Sequence, residues 1–245
     1  MEFDQALARL TGAGEKSGGI GTLGEKTLHA TLKLWLDSDT AHHEIPLAEG
    51  CVADIFDGER VTEIQTAGFS GFRPKLARLL EHYPVTVVHP VVRRKSLVWI
   101  DPATGETTPP HRSPRVGTFA DAGEQLIYIL PLIGHPHLTV RLVLVDVEEH
   151  RLADGRRSRD GKRGSHRVER YPLALGDSCT LQAPADYAAL LPPELGETFT
   201  SKEFGKAARL QGRKLQGTLK VLLTCGVVTR ERNGRAYRYT VIHEV

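Results

Sequence analysis

Apolar residues at helical spacing open the patterned part of the chain. Leu28, Leu32 and Trp35 recur at i, i+4 and i+7, and Thr22 with Glu25 forms a capping-box start, so the spacing predicts a helix over 23–36. The residues before it are rich in glycine, and segment 1–21 reads as a flexible lead-in. Three short β-type runs follow at 42–47, 51–56 and 60–66. Asp57-Gly58 is a turn signal that joins the last two as a hairpin within a meander. Phe72, Leu76, Leu79 and Leu80 predict the buried face of a helix over 70–83. Two β-branched runs, 85–89 and 91–100, read as strands. Pro, Gly and Thr mark 101–117 as a loop, and 119–133 reads as a helix bent at Pro131. The run 138–147 is apolar on both alternating faces, which suggests a central strand covered on both sides.

The rhythm changes near Pro184. Asp186 is positioned to cap a short helix through 191, and Thr200 or Ser201 to cap a second over 202–208. A third helix over 211–224 ends at Gly226. Asn233-Gly234 then joins 227–232 and 235–241 as a hairpin. Three small helices followed by a hairpin is a winged-helix pattern. The expected organisation is a flexible segment 1–21, an α/β domain 22–183 and a winged-helix domain 184–245.

Composition leaves this picture intact: 245 residues, 40% hydrophobic and 25% charged, are globular proportions. No apolar run reaches the roughly 18–20 residues of a membrane helix, so no membrane partner is expected. The acidic N-terminus lacks the pattern of a signal peptide. Three widely spaced cysteines argue against a disulfide framework and for a reducing, cytoplasmic location. The net charge of +2 hides an asymmetry: residues 1–150 carry −6, 151–170 carry +5 and 184–245 carry +4. An acidic portion is joined to basic ones, a distribution compatible with nucleic-acid binding.

The candidate chemistry lies in the acidic portion. Asp54 interrupts Val-Ala-Asp-Ile-Phe, and Glu63 and Gln65 share a face of the next strand. Two carboxylates and an amide are expected to converge there at a sheet edge, a donor set suited to Mg²⁺. The same Glu63 and Gln65 also fit the solvated face of an edge strand. Asp146 and Glu148 form a second same-face pair, read either as a metal pair or as a solvated strand end. Lys75, on the helix after Gln65, reads either as a cation for the site or as a solvent-facing lysine.

Glu25 on a helix, Asp54 on a hairpin strand and Glu63-Ile64-Gln65 on the next strand resemble the PD-(D/E)XK nuclease superfamily. Gln65 stands where most members carry Lys. The resemblance covers about residues 22–100. It implies an α/β fold with a mixed-sheet, restriction-endonuclease-like core flanked by helices, and hydrolysis of DNA phosphodiester bonds with Mg²⁺ or Mn²⁺. Asp54 and Glu63 would be metal ligands, Gln65 a water or phosphate positioner and Glu25 an outer carboxylate. Duplex DNA is the expected partner, with a second copy of the chain or another protein as further partners. Its phosphates would meet the basic loop 151–170 (Arg156, Arg157, Arg159, Lys162, Arg163), the third tail helix (Arg213, Lys214, Lys220) and the wing (Arg232, Arg235). The alternatives are a non-catalytic DNA-binding regulator on a decayed nuclease fold, and a protein-interaction module of a larger complex.

Overall fold

The apolar runs assemble into two sheets. The computed structural model describes residues 1–12, 27–155, 164–234 and 236–243. A seven-stranded sheet runs in the order β1 (His43–Pro46), β2 (Val52–Phe56), β3 (Val61–Ile64), β4 (Val85–Ile100), β6 (Leu138–Leu152), β7 (His166–Leu181), with β5 (His111–Arg112) pairing β4, and a three-stranded sheet runs in the order β8 (Thr198–Thr200), β10 (Ala236–Val241), β9 (Val228–Asn233). The chain divides into two compact units. One comprises Met1–Ala41, Val92–Val116 and Val145–Gly176. The other comprises His42–Val91, Gly117–Leu144 and Asp177–Val245. The class is mixed α/β, with a large mixed sheet and flanking helices.

In the first unit, the expected lead-in contains a helix, α1 (Phe3–Gly12). Phe3 and Ala6 are buried, an i, i+3 pair that the following glycines obscure in the sequence. α2 spans Thr27–Leu36, and the Phe3 ring meets Trp35 edge-on at 6.3 Å. Its expected start, with Thr22 and Glu25, lies outside the described residues. β4 (Val85–Ile100), whose residues from 92 onward belong to this unit, is one strand where two were expected, because proline's fixed φ lets the chain stay extended through Pro90. The loop 101–117 holds one short strand, β5 (His111–Arg112), paired with β4 through Ser96↔Arg112. The expected basic loop 151–170 is shortened from both ends by β6 (Leu138–Leu152) and β7 (His166–Leu181). Strand β7 has no counterpart in the sequence reading. Its apolar positions are broken by Arg, Glu, Asp and Gly, and Arg170 within it pairs with Glu149 at 2.9 Å.

The second unit holds the meander. β1 (His43–Pro46), β2 (Val52–Phe56) and β3 (Val61–Ile64) pair antiparallel in turn, and β3 then runs parallel to β4 with Val61↔Val85 and Ile64↔Val88. A parallel pair needs a crossover, which α3 (Arg73–Leu80) provides. Pro74 sits in the first turn of α3, where its missing N–H costs nothing, and Leu76, Leu79 and Leu80 are buried. They join Val61, Val85 and Val87 in the core.

The helix expected over 119–133 is three short pieces: a 3₁₀ turn Phe119–Ala122, α4 (Gly123–Leu126) and a 3₁₀ turn Ile127–Leu132 containing Pro131. The tail runs through a 3₁₀ helix Pro184–Leu190, β8 (Thr198–Thr200), α5 (Ser201–Ala207), α6 (Gly212–Thr224), β9 (Val228–Asn233) and β10 (Ala236–Val241). Thr200 caps α5 reciprocally with Glu203, as the sequence suggests. Asp186 sits at the third position of its helix instead of the cap, and accepts from the Gln182 and Ala183 amides at 2.7 and 2.8 Å. Gly226 and Gly234 adopt φ of 71° and 61°, the left-handed conformation their turns require.

α6 docks on α4 at close range. Thr218 Oγ1 donates to the Ala120 carbonyl at 2.7 Å. A Cβ on Gly123 would stand 2.5 Å from Thr218 Cα, and one on Gly217 would stand 2.9 Å from the Gly123 carbonyl oxygen. Only glycine permits this approach. Leu219, Val221 and Leu222 of α6 share one core with Leu126, Ile129 and Val140. Among the described residues, no helix is long and apolar enough to cross a membrane.

Candidate active site

β3 lies inside the sheet, between β2 and β4. The expectation of an edge is therefore corrected, and with it the reading of Glu63 as part of a solvated face: Glu63 is only 4% exposed. The pairs Ile55↔Thr62 and Phe56↔Val61 fix the register. Continued by one step, that register sets Asp54 opposite Glu63 on the same face. Asp54 Oδ2 accepts from the Ile64 amide at 2.7 Å, which holds its carboxylate against β3.

Lys75 completes this cluster from α3. Its Nζ lies 2.6 Å from Glu63 Oε2 and donates to the Val52 carbonyl at 2.6 Å. The reading of Lys75 as solvent-facing is corrected: its side chain is only 26% exposed, and it flanks the buried Leu76 with its ammonium turned to Glu63. The other carboxylate oxygen, Glu63 Oε1, is buried with no hydrogen-bond partner. Burial and the neighbouring Asp54 charge push the Glu63 carboxyl up to about 7, against the opposing pull of Lys75 and the Asp54 amide.

Gln65 follows the end of β3. Its side-chain amide donates to the Gly68 carbonyl at 3.1 Å, bracing the turn that leads to α3. Its backbone N–H donates to Val88 O at 2.9 Å, and its carbonyl accepts from His89 Nδ1 at 2.7 Å, so that nitrogen of the His89 ring carries a proton. Glu25 lies outside the described residues.

The carboxylate pair suits a magnesium-like ion, which takes one or two protein carboxylates and keeps several waters. The orphaned Oε1 is a hard oxygen donor with capacity to spare. Among the described residues, no group of three or more His, Cys, Asp or Glu is arranged to hold a metal ion, so water or substrate oxygens would fill most positions.

The second acidic cluster has other partners. Arg93 grips Asp146 with two nitrogens at 2.8 Å each, and His150 Nε2 lies 2.8 Å from Glu148 Oε1. Asp146 and Glu148 are thus neither a free metal pair nor a solvated strand end. Glu149, which the sequence does not single out, is buried and bonded by Arg151 at 2.7 Å and Arg170 at 2.9 Å.

Of the candidate basic residues, Arg156, Arg157, Arg159, Lys162, Arg163 and Arg235 lie outside the described residues. Arg213 and Lys220 are exposed on α6, whereas Lys214 pairs with Asp121 at 2.9 Å. Arg232 on β9 is exposed and donates to Gly234 O at 3.2 Å. Arg213 and Lys220 line one wall of a groove of about 520 Å³, whose other walls come from the turn before α3 and the segment 124–128. Tyr128 in that groove is a site residue the sequence reading missed. Its signal is an aromatic lying off the buried stripe of Leu126 and Ile129.

Fold and site define a mixed α/β protein in which two acidic side chains on interior strands meet a lysine from the crossover helix. The chain belongs to the DUF8091 family, described as a domain of unknown function, whose profile matches residues 26–182. It is similar to an uncharacterized protein of Treponema pallidum (strain Nichols), 26% identical over 223 residues that cover 90% of this chain and 86% of the relative. No solved structure matches it.

Proposed function

We propose that the chain is a metal-dependent endonuclease that hydrolyses DNA phosphodiester bonds at Asp54 and Glu63, on a PD-(D/E)XK-like core followed by a winged helix. The observation that carries this reading is Glu63: buried on an interior strand, held at Oε2 by Lys75, and left with an unpartnered Oε1 on the face Asp54 shares. A buried carboxylate oxygen without a donor is costly unless something binds there. The order helix, three antiparallel strands, crossover helix and parallel strand agrees with the resemblance seen in the sequence.

Asp54 and Glu63 would hold Mg²⁺ or Mn²⁺, which when bound acidifies a water and offsets charge on the phosphate. Lys75 supplies the cation that Gln65 lacks, reaching the same carboxylate from α3. The Gln65 side-chain amide braces the 65–68 turn. The elements of the tail, with a strand before α5 and α6 and a hairpin after them, support the winged-helix reading, and exposed Arg213 and Lys220 support contact with nucleic acid.

A non-catalytic DNA-binding regulator is the second reading, favoured by Gln65, whose amide is committed to Gly68. Supercoiled plasmid with Mg²⁺ or Mn²⁺ separates the two. The endonuclease reading expects cleavage by the wild type and a loss of at least about 100-fold in Asp54→Ala and Glu63→Ala. Cleavage that survives both substitutions sinks the assigned site. An inert wild type whose salt-sensitive DNA binding falls in Arg213→Ala and Lys220→Ala supports the regulator.

A further inference from the structure

The groove beside α6 combines three features that a duplex-reading helix face does not need together. It is concave, with about 520 Å³ of space, within the range of small-molecule sites. Arg213, Gln216 and Lys220, at i, i+3 and i+7, form one wall, opposite the buried stripe of Leu219 and Leu222. Tyr128 stands in the groove with 43% of its surface exposed.

The charges are available. Among the described residues, Arg213 and Lys220 make no ion pair, although Lys214 on the same helix is taken by Asp121. Glu124 is the acid in the groove, and it leaves a net positive wall. The site is also preformed. Gly217 lines it, and the close approach of Gly217 to the Gly123 carbonyl fixes the α6 wall against α4. Ser70, at the turn that leads to α3, adds a hydroxyl on the side nearest Lys75 in sequence.

An exposed tyrosine ring beside two uncommitted cations, in a cleft of this size, matches a base and its phosphate. We infer that the groove binds one unpaired nucleotide of a single strand, its base stacked on Tyr128 and its phosphate held by Arg213 and Lys220. Stacking is open to bases of a single strand and closed to bases inside a duplex. Major-groove reading would require the cation face of α6 to protrude, whereas here it walls a concavity. This inference rests on the nucleic-acid reading above and narrows it: the strand engaged is single at this point, as at a junction, a flap or an opened duplex end.

The test uses the 245-residue chain in EDTA, so that binding is read apart from cleavage. Fluorescence anisotropy is recorded with labelled dT₁₂, with a 12-base-pair duplex and with competing dTMP. The expected result is preference for dT₁₂ over duplex. Tyr128→Ala should weaken dT₁₂ binding about tenfold or more and leave duplex binding unchanged, while Tyr128→Phe should retain affinity. Arg213→Ala and Lys220→Ala should each lower the salt slope for dT₁₂ by about 0.7. Equal or tighter duplex binding, indifferent to Tyr128→Ala, overturns the proposal. So does dTMP binding as tight as dT₁₂ with the same Tyr128 dependence, which would make the ligand a free nucleotide. Failure here leaves Mn²⁺-dependent cleavage at Asp54 and Glu63 intact, and failure of cleavage leaves the dT₁₂ result standing, so the two readings fall separately.

Discussion

Lys75 Nζ on α3 and Glu63 Oε2 on β3 stand 2.6 Å apart, and the same ammonium reaches the Val52 carbonyl of β2. One lysine therefore ties the crossover helix to two strands of the meander. Lys75→Met leaves the buried Glu63 without its donor and should lower stability by about 1–3 kcal/mol at pH 8. Adding Glu63→Gln should restore part of that loss, a coupling of about 0.5–3 kcal/mol in a double-mutant cycle. Urea unfolding of the four proteins measures it; strictly additive losses would mean that the pair carries no coupling.

Glu63 gives the metal-free protein an unusual pH dependence. Its folded-state value of about 7 lies above the ordinary 4.5, so between those limits the unfolded chain gives up its proton first. Stability from this group is full below about 4.5, falls as pH rises towards 7, and is flat above. The span is on the order of 3 kcal/mol. Glu63→Gln should flatten the change in urea midpoint between pH 4.5 and 7; a wild-type and variant pair with parallel profiles would contradict the assignment.

Glu149 should act in the opposite sense. Burial pushes its carboxyl up, but Arg170, Lys95 and Arg151 outweigh burial and hold it below the ordinary value. Asp146 is likewise held low, chiefly by its hydrogen bond from Arg93. A lowered carboxyl contributes stability that is present above its ordinary pKa and lost as pH falls through the folded value. Glu149→Gln leaves Arg151 and Arg170 facing each other and should cost about 3 kcal/mol or more at pH 7. The variant should also unfold with less acid sensitivity below pH 4.5, as followed by circular dichroism.

The contact of α6 with α4 has no room for a methyl group. Gly123→Ala should destabilise the protein by at least about 1–3 kcal/mol, because the added carbon meets the Thr218 backbone as well as its side chain, so a rotamer change alone does not clear it. Thr218→Ala, which removes a buried hydroxyl bonded to the Ala120 carbonyl, should cost about 1 kcal/mol. Thermal unfolding of both variants checks the order of the two effects.

The meander and the tail were legible because their signals are local. Asp57-Gly58, Asn233-Gly234 and the Thr200–Glu203 box each act over a few residues, and the strands and helices they delimit form near the expected positions. The pairing of Asp54 with Glu63 was legible too, since hairpin register follows from the turn. What the sequence concealed depends on distant partners. The start of β7 reads as a loop because Arg170 looks solvated until Glu149, 21 residues earlier, supplies the counter-charge. The two readings of Lys75, a cation for the site or a solvent-facing lysine, stay open in the sequence because nothing local indicates that β3 is an interior strand. Lys214 reads as a phosphate contact until Asp121, 93 residues away, claims it.

The claim beneath the proposed activity is that Asp54 and Glu63 together bind a divalent cation. Titration of the 245-residue chain with Mn²⁺, with free ion followed by electron paramagnetic resonance, tests it most directly. One bound ion is expected in the wild type, with affinity that rises with pH through about 7 as Glu63 loses its proton, and that ion should be lost in either Asp54→Asn or Glu63→Gln. Mn²⁺ binding that is absent in the wild type, or unchanged in both variants, would contradict it.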